Sequence, residues 1–118
     1  MIGRHLLADL YDVADGRLTD ADLLAACLQE AARRCRLTPL GPPVLHRFEG
    51  GGITGYLLLS ESHIALHTYP ECGYMALDIF SCGAADPAAA LEVFRAALDP
   101  LGERVTTATR GEQTSRGR

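Results

Sequence analysis

Long apolar runs, an excess of positive charge and metal-binding cysteine spacings are all missing from this sequence. No run approaches the ~20 apolar residues of a membrane-spanning helix. The formal net charge of the 118 residues is −4, so no global basic field favours nucleic acid. The first residues, MIGRHLLADLYD, show no apolar core of a secretion signal. We therefore expect a cytoplasmic protein that binds neither nucleic acid nor membranes.

Cysteine is also sparse, with four residues: Cys27, Cys35, Cys72 and Cys82. Their spacing matches no zinc pattern, and nothing else suggests an oxidising compartment, so we expect reduced thiols and no metal. Cys27 and Cys35 lie two turns apart on the apolar face of a predicted helix and are expected in the core. The length and the absence of repeats or a linker predict one domain over residues 1–110, followed by a disordered tail at 111–118.

Apolar periodicity predicts an α+β fold, a two-layer sandwich with a largely antiparallel sheet and two helices on one face. One helix is expected to start at Thr19 as its N-cap and to stop before Pro39; the other has Asp86 as N-cap and Pro87 as its first residue. The strands are predicted at residues 4–11, 44–48, 54–59, 63–69, 74–81 and 104–109. The second sheet face then needs a partner, which a second copy often supplies.

The run LSESHIALHTYPE, residues 59–71, carries the most chemistry. The bond between Glu61 and Ser62 lies at a predicted turn, and His67 follows five residues after the serine. A serine hydroxyl can attack the preceding carbonyl to form an ester, and loss of the Cα proton then leads through dehydroalanine to a pyruvoyl group. His67 is the nearest plausible base for that proton. On composition alone, an ordinary turn serine beside two edge-strand histidines is the favoured interpretation.

A resemblance to a known family changes that interpretation. The segment LSESHIALHTYPECGYMALDIFSCG strongly resembles the processing and active-site segment of the short prokaryotic S-adenosylmethionine decarboxylases. GRHLLADLY near the start, and HRF before a glycine-rich loop, resemble the same family at matching intervals. The resemblance covers roughly residues 3–100, with three separated motifs in the same order.

The resemblance implies cleavage between Glu61 and Ser62 without hydrolysis, giving a β chain of residues 1–61 and an α chain of residues 62–118. Ser62 becomes a covalent pyruvoyl cofactor, whose carbonyl forms a Schiff base with the substrate amine and serves as an electron sink. The same resemblance assigns three further roles to matching positions: processing to His67, proton donation to Cys82 and processing support to Thr54. Relatives usually carry serine where Thr54 stands.

The substrate is implied by two more matching positions. Phe48 matches an aromatic residue that stacks on adenine, and Glu71 matches an acid that binds ribose hydroxyls. The family works as a dimer of αβ pairs and makes the aminopropyl donor for spermidine. Tyr69 and Cys72 depart from the residues usual in relatives, which puts the shape of the pocket in question.

Three alternatives remain open at this point. A related pyruvoyl enzyme could decarboxylate arginine or ornithine. An uncleaved, non-catalytic homologue could bind a partner protein. A hydrolase using Cys82 and His67 is the weakest of the three, because no orienting acid is evident. His5 and His46 lie in family-like segments, but strand histidines are more often structural.

Overall fold

The computed structural model describes residues 1–111, and the rest of the predicted tail lies outside the described residues. The strands are β1 (Gly3–Tyr11), β2 (Val44–Arg47), β3 (Ile53–Leu59), β4 (Ser62–Tyr69), β5 (Tyr74–Cys82) and β6 (Gly102–Arg110). The helices are α1 (Asp15–Leu18), α2 (Ala21–Arg34) and α3 (Pro87–Leu98), and a 3-10 turn covers Pro70–Cys72. Every predicted strand is present, with its ends shifted by no more than two residues.

The six strands form one antiparallel sheet in the order β2-β3-β4-β5-β1-β6. Helix α2 packs on α3 and β3, and α3 packs on β1 and β5, so both long helices cover the same face. The core lies between the two layers and is filled by alternate strand residues, among them Leu10, Leu57 and Leu66. The predicted α+β two-layer sandwich is confirmed.

The start of the first long helix differs from the prediction. The segment expected to turn at Asp15 instead forms the short helix α1, and Thr19 closes that helix by donating its hydroxyl to the Asp15 carbonyl. The N-cap of α2 is Asp20, whose carboxylate accepts a hydrogen bond from the Leu23 amide at 3.0 Å. For α3 the prediction is confirmed, because Asp86 accepts from the Ala88 amide and Pro87 is the first helical residue.

The sheet surface that points away from the helices is called here the open face. Its large apolar side chains Leu7, Tyr11, Tyr56, Leu58 and Tyr69 are each between 41% and 54% exposed. Nothing among residues 1–111 covers this face. An apolar surface of this kind on one side of a sheet is typical of an interaction site.

The helices of residues 1–111 are all too short or too polar to cross a membrane.

Candidate active site

The predicted scissile bond lies in a two-residue hairpin turn between β3 and β4. Leu59 pairs with Ser62 across the hairpin, which leaves Ser60 and Glu61 to form the turn. Glu61 has a φ of 58°, in the left-handed region that glycine or asparagine usually occupies. A side chain in that region costs on the order of 1–2 kcal/mol. The turn therefore stores backbone strain next to the bond between Glu61 and Ser62.

Ser62 is the first residue of β4, and its side chain is buried on the helix side of the sheet. Its hydroxyl oxygen accepts a hydrogen bond from the backbone amide of Cys82 at 3.2 Å. The Cys82 thiol lies 4.0 Å from the Ser60 carbonyl oxygen, at the C-terminal end of β5. The structure thus brings together Glu61, Ser62 and Cys82, as the sequence predicts, beside a shallow pocket of about 300 Å³.

The N-terminal strand fixes the end of β5 at this pocket. Gly3 pairs with Cys82, and the Gly83 amide donates to the Ile2 carbonyl at 2.8 Å. A Cβ atom at Gly3 would lie 2.5 Å from the Ser81 carbonyl oxygen, so the two strands can approach this closely only with glycine there. This packing holds the backbone of Cys82 against the hydroxyl of Ser62.

A second pocket, of about 360 Å³, lies at the other end of the hairpin. Its walls include Phe48, Thr54, His67, Tyr69 and Glu71, so it gathers most of the remaining predicted site residues. Phe48 is 52% exposed, which argues against a role in the core. Its backbone amide donates to the Gly52 carbonyl at 2.8 Å, closing the glycine-rich loop and presenting the ring at the pocket.

Thr54 and His67 form the polar centre of this second pocket. They are cross-strand neighbours on the open face, and the Thr54 hydroxyl lies 3.1 Å from His67 Nδ1. Thr68, on the opposite side of β4, accepts from the Ile53 amide and donates to the Leu18 carbonyl, both at 2.9 Å. These buried bonds fix the strand that carries His67, so the imidazole is held by its own hydroxyl partner and by a rigid backbone.

His67 does not reach Ser62 within one chain. The two residues are five positions apart on β4, and side chains alternate along a strand, so they lie on opposite faces of the sheet. Their separation along the strand is roughly 16–17 Å at ~3.3 Å per residue. Within a single chain His67 is therefore not placed to act on Ser62, and its role as the base stays a prediction.

Sequence reasoning missed two polar residues of the open face. Asp78 on β5 bridges His5 on β1 and His63 on β4: one carboxylate oxygen contacts His5 Nε2, and the other lies 3.2 Å from His63 Nε2. Arg110 Nη1 lies 3.0 Å from His5 Nδ1. The alternation of the two faces along each strand can be read from the sequence. The pairing of β1 with β5, however, joins residues 73 positions apart. No local signal in the sequence reveals that contact.

The other singled-out residues have ordinary surroundings. His46 lies on the edge strand β2, with its ring 4.5 Å from that of Phe48. Cys27 on α2 and Cys35 at the C-cap of that helix are buried as predicted, and burial raises the pKa of the Cys27 thiol to about 11. Cys72 is exposed in the 3-10 turn, and all four cysteines are free thiols.

Comparison with known proteins gives one consistent result. A family model described as S-adenosylmethionine decarboxylase matches residues 4–111. A solved structure of the adenosylmethionine decarboxylase from Aquifex aeolicus superposes with a TM-score of 0.87 at 29% identity, covering 97% of this chain and 94% of that one.

Curated relatives named S-adenosylmethionine decarboxylase proenzyme agree. The protein from Synechococcus sp. is 46% identical over 83 residues, covering 70% of this chain. The match spans 64% of that relative, a little under two thirds of its length. The protein from Symbiobacterium thermophilum is 44% identical over 97 residues, covering 81% of this chain and 73% of the relative. One from Pseudomonas aeruginosa is 35% identical over 112 residues, covering 94% of this chain and 69% of the relative.

Proposed function

Because this chain belongs to the S-adenosylmethionine decarboxylase family, we propose that it is a self-cleaving proenzyme that decarboxylates S-adenosylmethionine. Cleavage occurs between Glu61 and Ser62, and Ser62 becomes a covalent pyruvoyl group. The product is the aminopropyl donor for spermidine biosynthesis, made in the cytoplasm. Four unpaired thiols and a net charge of −4 agree with a reducing compartment and with a small-molecule substrate.

The observation that carries the proposal is the arrangement around the Glu61–Ser62 bond. The bond follows a residue held in the left-handed region, at the tip of a tight hairpin. The attacking hydroxyl belongs to the next residue and is held by the Cys82 amide at 3.2 Å. Asp12, Arg36 and Asp99 share the left-handed conformation, so what distinguishes Glu61 is that it directly precedes a buried serine hydroxyl.

The cleavage chemistry follows from these atoms. The Ser62 oxygen attacks the Glu61 carbonyl carbon, the C–N bond breaks, and an ester forms while the amine of residue 62 is released. Removal of the Cα proton of residue 62 then expels the Glu61 carboxylate and leaves dehydroalanine. Water adds to the tautomeric imine and ammonia leaves, which produces the ketone. Strain in the turn is released at the first of these steps.

The residues present fit a pyruvoyl group at position 62. The group supplies a ketone conjugated to an amide, which accepts the electrons released when carbon dioxide departs. Cys82 is the proton donor to the carbon that loses its carboxylate, because its thiol lies at the end of the adjacent strand and points to the open face. The backbone amide of Cys82 also contacts residue 62, because it donates to the Ser62 hydroxyl oxygen.

A second copy of the chain completes the site. The pocket with Thr54, His67 and Phe48 lies at the far end of β4 from Ser62, so neither end contains all the required groups. The uncovered open face joins the two ends and exposes large apolar side chains. Packing two open faces about a twofold axis would bring His67 of one chain towards the turn that contains the Glu61–Ser62 bond of the other, and would form two equal sites.

The second pocket suits the adenosyl part of the substrate. The exposed ring of Phe48 offers a flat apolar surface for adenine, and Glu71 offers a carboxylate for ribose hydroxyls. An aromatic face also stabilises a neighbouring sulfonium cation. Arginine and ornithine have neither an adenine ring nor a ribose, so neither contact would bind them. This favours the nucleoside substrate over that alternative.

Intact mass spectrometry and a carbon dioxide release assay test the proposal together. The expected result is two chains, with the C-terminal fragment starting at a pyruvoyl residue 62, and carbon dioxide released from S-adenosylmethionine. A preparation that stays a single uncut chain after prolonged incubation would defeat the proposal in favour of a non-catalytic homologue. Release from arginine or ornithine alone would keep the cofactor and overturn the substrate.

A further inference from the structure

The cluster of His5, Asp78 and His63 on the open face has no part in the chemistry described above. The three side chains come from three adjacent strands, since His5 and His63 both pair with Phe80 and Asp78 lies two residues earlier on β5. Asp78 accepts from both imidazoles, one through each carboxylate oxygen. A carboxylate shared in this way fixes both rings relative to β5.

The hydrogen-bond partners determine the tautomer of His5. Arg110 Nη1 lies 3.0 Å from His5 Nδ1, and a guanidinium can only donate. The neutral His5 ring therefore accepts at Nδ1 and carries its proton on Nε2, which donates to Asp78. Such a ring has no free lone pair for a metal ion at Nε2, although His5, His63 and Asp78 have the spacing of a metal site. The cluster is a chain of hydrogen bonds that ends at His63.

His63 matters because of its position in the chain. Its peptide nitrogen is the atom to which the group derived from Ser62 stays attached after cleavage. Before cleavage, the hairpin turn ties residue 62 to β3. After cleavage that covalent tie is gone, and residue 62 becomes a chain terminus, where strands normally fray. Among the described side-chain hydrogen bonds of the β4 residues after Ser62, the contact between His63 and Asp78 lies nearest the new terminus.

Asp78 and Cys82 are on the same strand, so the His63–Asp78 contact fixes the new terminus relative to the strand that carries the proton donor. We propose that His63, held by Asp78 and His5, is a positioning residue that keeps the new terminus of the α chain aligned with Cys82 after cleavage. The inference rests on the proposed function, since it concerns the cleaved enzyme. It predicts that the cluster is more important for turnover than for cleavage, because the uncut hairpin holds residue 62 without it.

The test measures cleavage and turnover separately in His63→Leu. Cleavage, followed by gel, is expected to proceed within about threefold of the wild-type rate. The kcat of the cleaved protein is expected to fall by ~10- to 100-fold, the range for a misplacement of about 1 Å, with KM changed little. His63→Gln, which keeps an N–H donor of similar reach, is expected to restore most of kcat.

Two controls separate positioning from a general loss of stability. Glu30→Gln weakens exposed ion pairs with Arg33 and Arg34 on α2, in the layer away from the open face, and should leave kcat unchanged. The double variant His63→Leu with Asp78→Ala should lose no more turnover than the worse single variant, since both act through one contact. Wild-type kcat in cleaved His63→Leu, or equal losses in His63→Leu and His63→Gln, overturns the inference. An uncut wild-type chain instead overturns the proposed function itself.

Discussion

The two ends of the β3–β4 hairpin are built in opposite ways. At the end that contains Ser62, the groups are packed tightly: a strained turn, a buried hydroxyl and a glycine that admits no side chain. At the end that contains Phe48, the groups are exposed around a glycine-rich loop and a pocket of about 360 Å³. Under the proposed function, the first end reacts within its own chain and the second receives a ligand.

Under the proposed function, this difference explains why one chain would contain two half-sites instead of one site. Nucleophile and scissile carbonyl must be adjacent, so the chain supplies them as consecutive residues. The base and the substrate walls need only approach from outside, so they can belong to another copy. The following experiments test that division, starting with the largest expected effect.

Ser62→Ala removes the attacking oxygen, so both cleavage and decarboxylation should be lost completely. The Cys82 amide loses only one acceptor, and the fold should persist with the thermal midpoint changed little. Intact mass and a thermal unfolding scan check this. Cys82→Ala is the matched control: it should still cleave, but with turnover reduced by ~10²- to 10⁴-fold, the range for a general acid. Cleavage of Ser62→Ala at residue 61 would contradict the assignment of the nucleophile.

Co-expression of Ser62→Ala with His67→Ala tests whether the two half-sites combine between chains. Each variant alone should remain uncut, the second because it lacks the processing imidazole. In a mixed dimer, Ser62 of one chain meets His67 of the other, so one of the two sites is complete. With random pairing, roughly half of the His67→Ala chains should be cleaved, and none of the Ser62→Ala chains. Absence of any cleaved chain in a confirmed mixed dimer would show that His67 does not act across the interface.

The separation of Ser62 and His67 within one chain could have been predicted from the sequence. Positions 62 and 67 differ by an odd number, so alternation along one strand places their side chains on opposite faces. The strands themselves were predictable for the same reason, since alternation and turn residues are local signals. The cluster of His5 with Asp78 was not, because it depends on which strands pair across 73 residues. The helix α1 was missed because a four-residue helix carries too little periodicity to predict.

Phe48→Leu tests the pocket end on its own. Leucine keeps apolar volume but removes the flat ring, so KM for S-adenosylmethionine should rise by about tenfold, in line with ~1–1.5 kcal/mol for an aromatic pair. Self-cleavage should be unchanged, because no substrate is involved in it. Steady-state kinetics and a cleavage time course check both statements. Leu101→Ala, at a residue that is 82% exposed on the loop after α3, serves as the control. A cleavage defect in Phe48→Leu would show that the two ends are not independent.

The smallest effect is expected at the strained turn. Glu61→Gly removes the Cβ that makes the left-handed conformation costly, which stabilises the uncut hairpin by about 1 kcal/mol. If that strain is relieved as Ser62 attacks, cleavage should slow by roughly fivefold. In the uncut Ser62→Ala background the same change should raise the free energy of unfolding by less, because glycine also frees the unfolded chain by ~0.5–1 kcal/mol. Ser60→Gly, at the neighbouring residue without a positive φ, should gain no stability. Faster or unchanged cleavage in Glu61→Gly would mean that the strain persists through the attack, and that the cleavage end is reactive because its groups are close together and not because its backbone is strained.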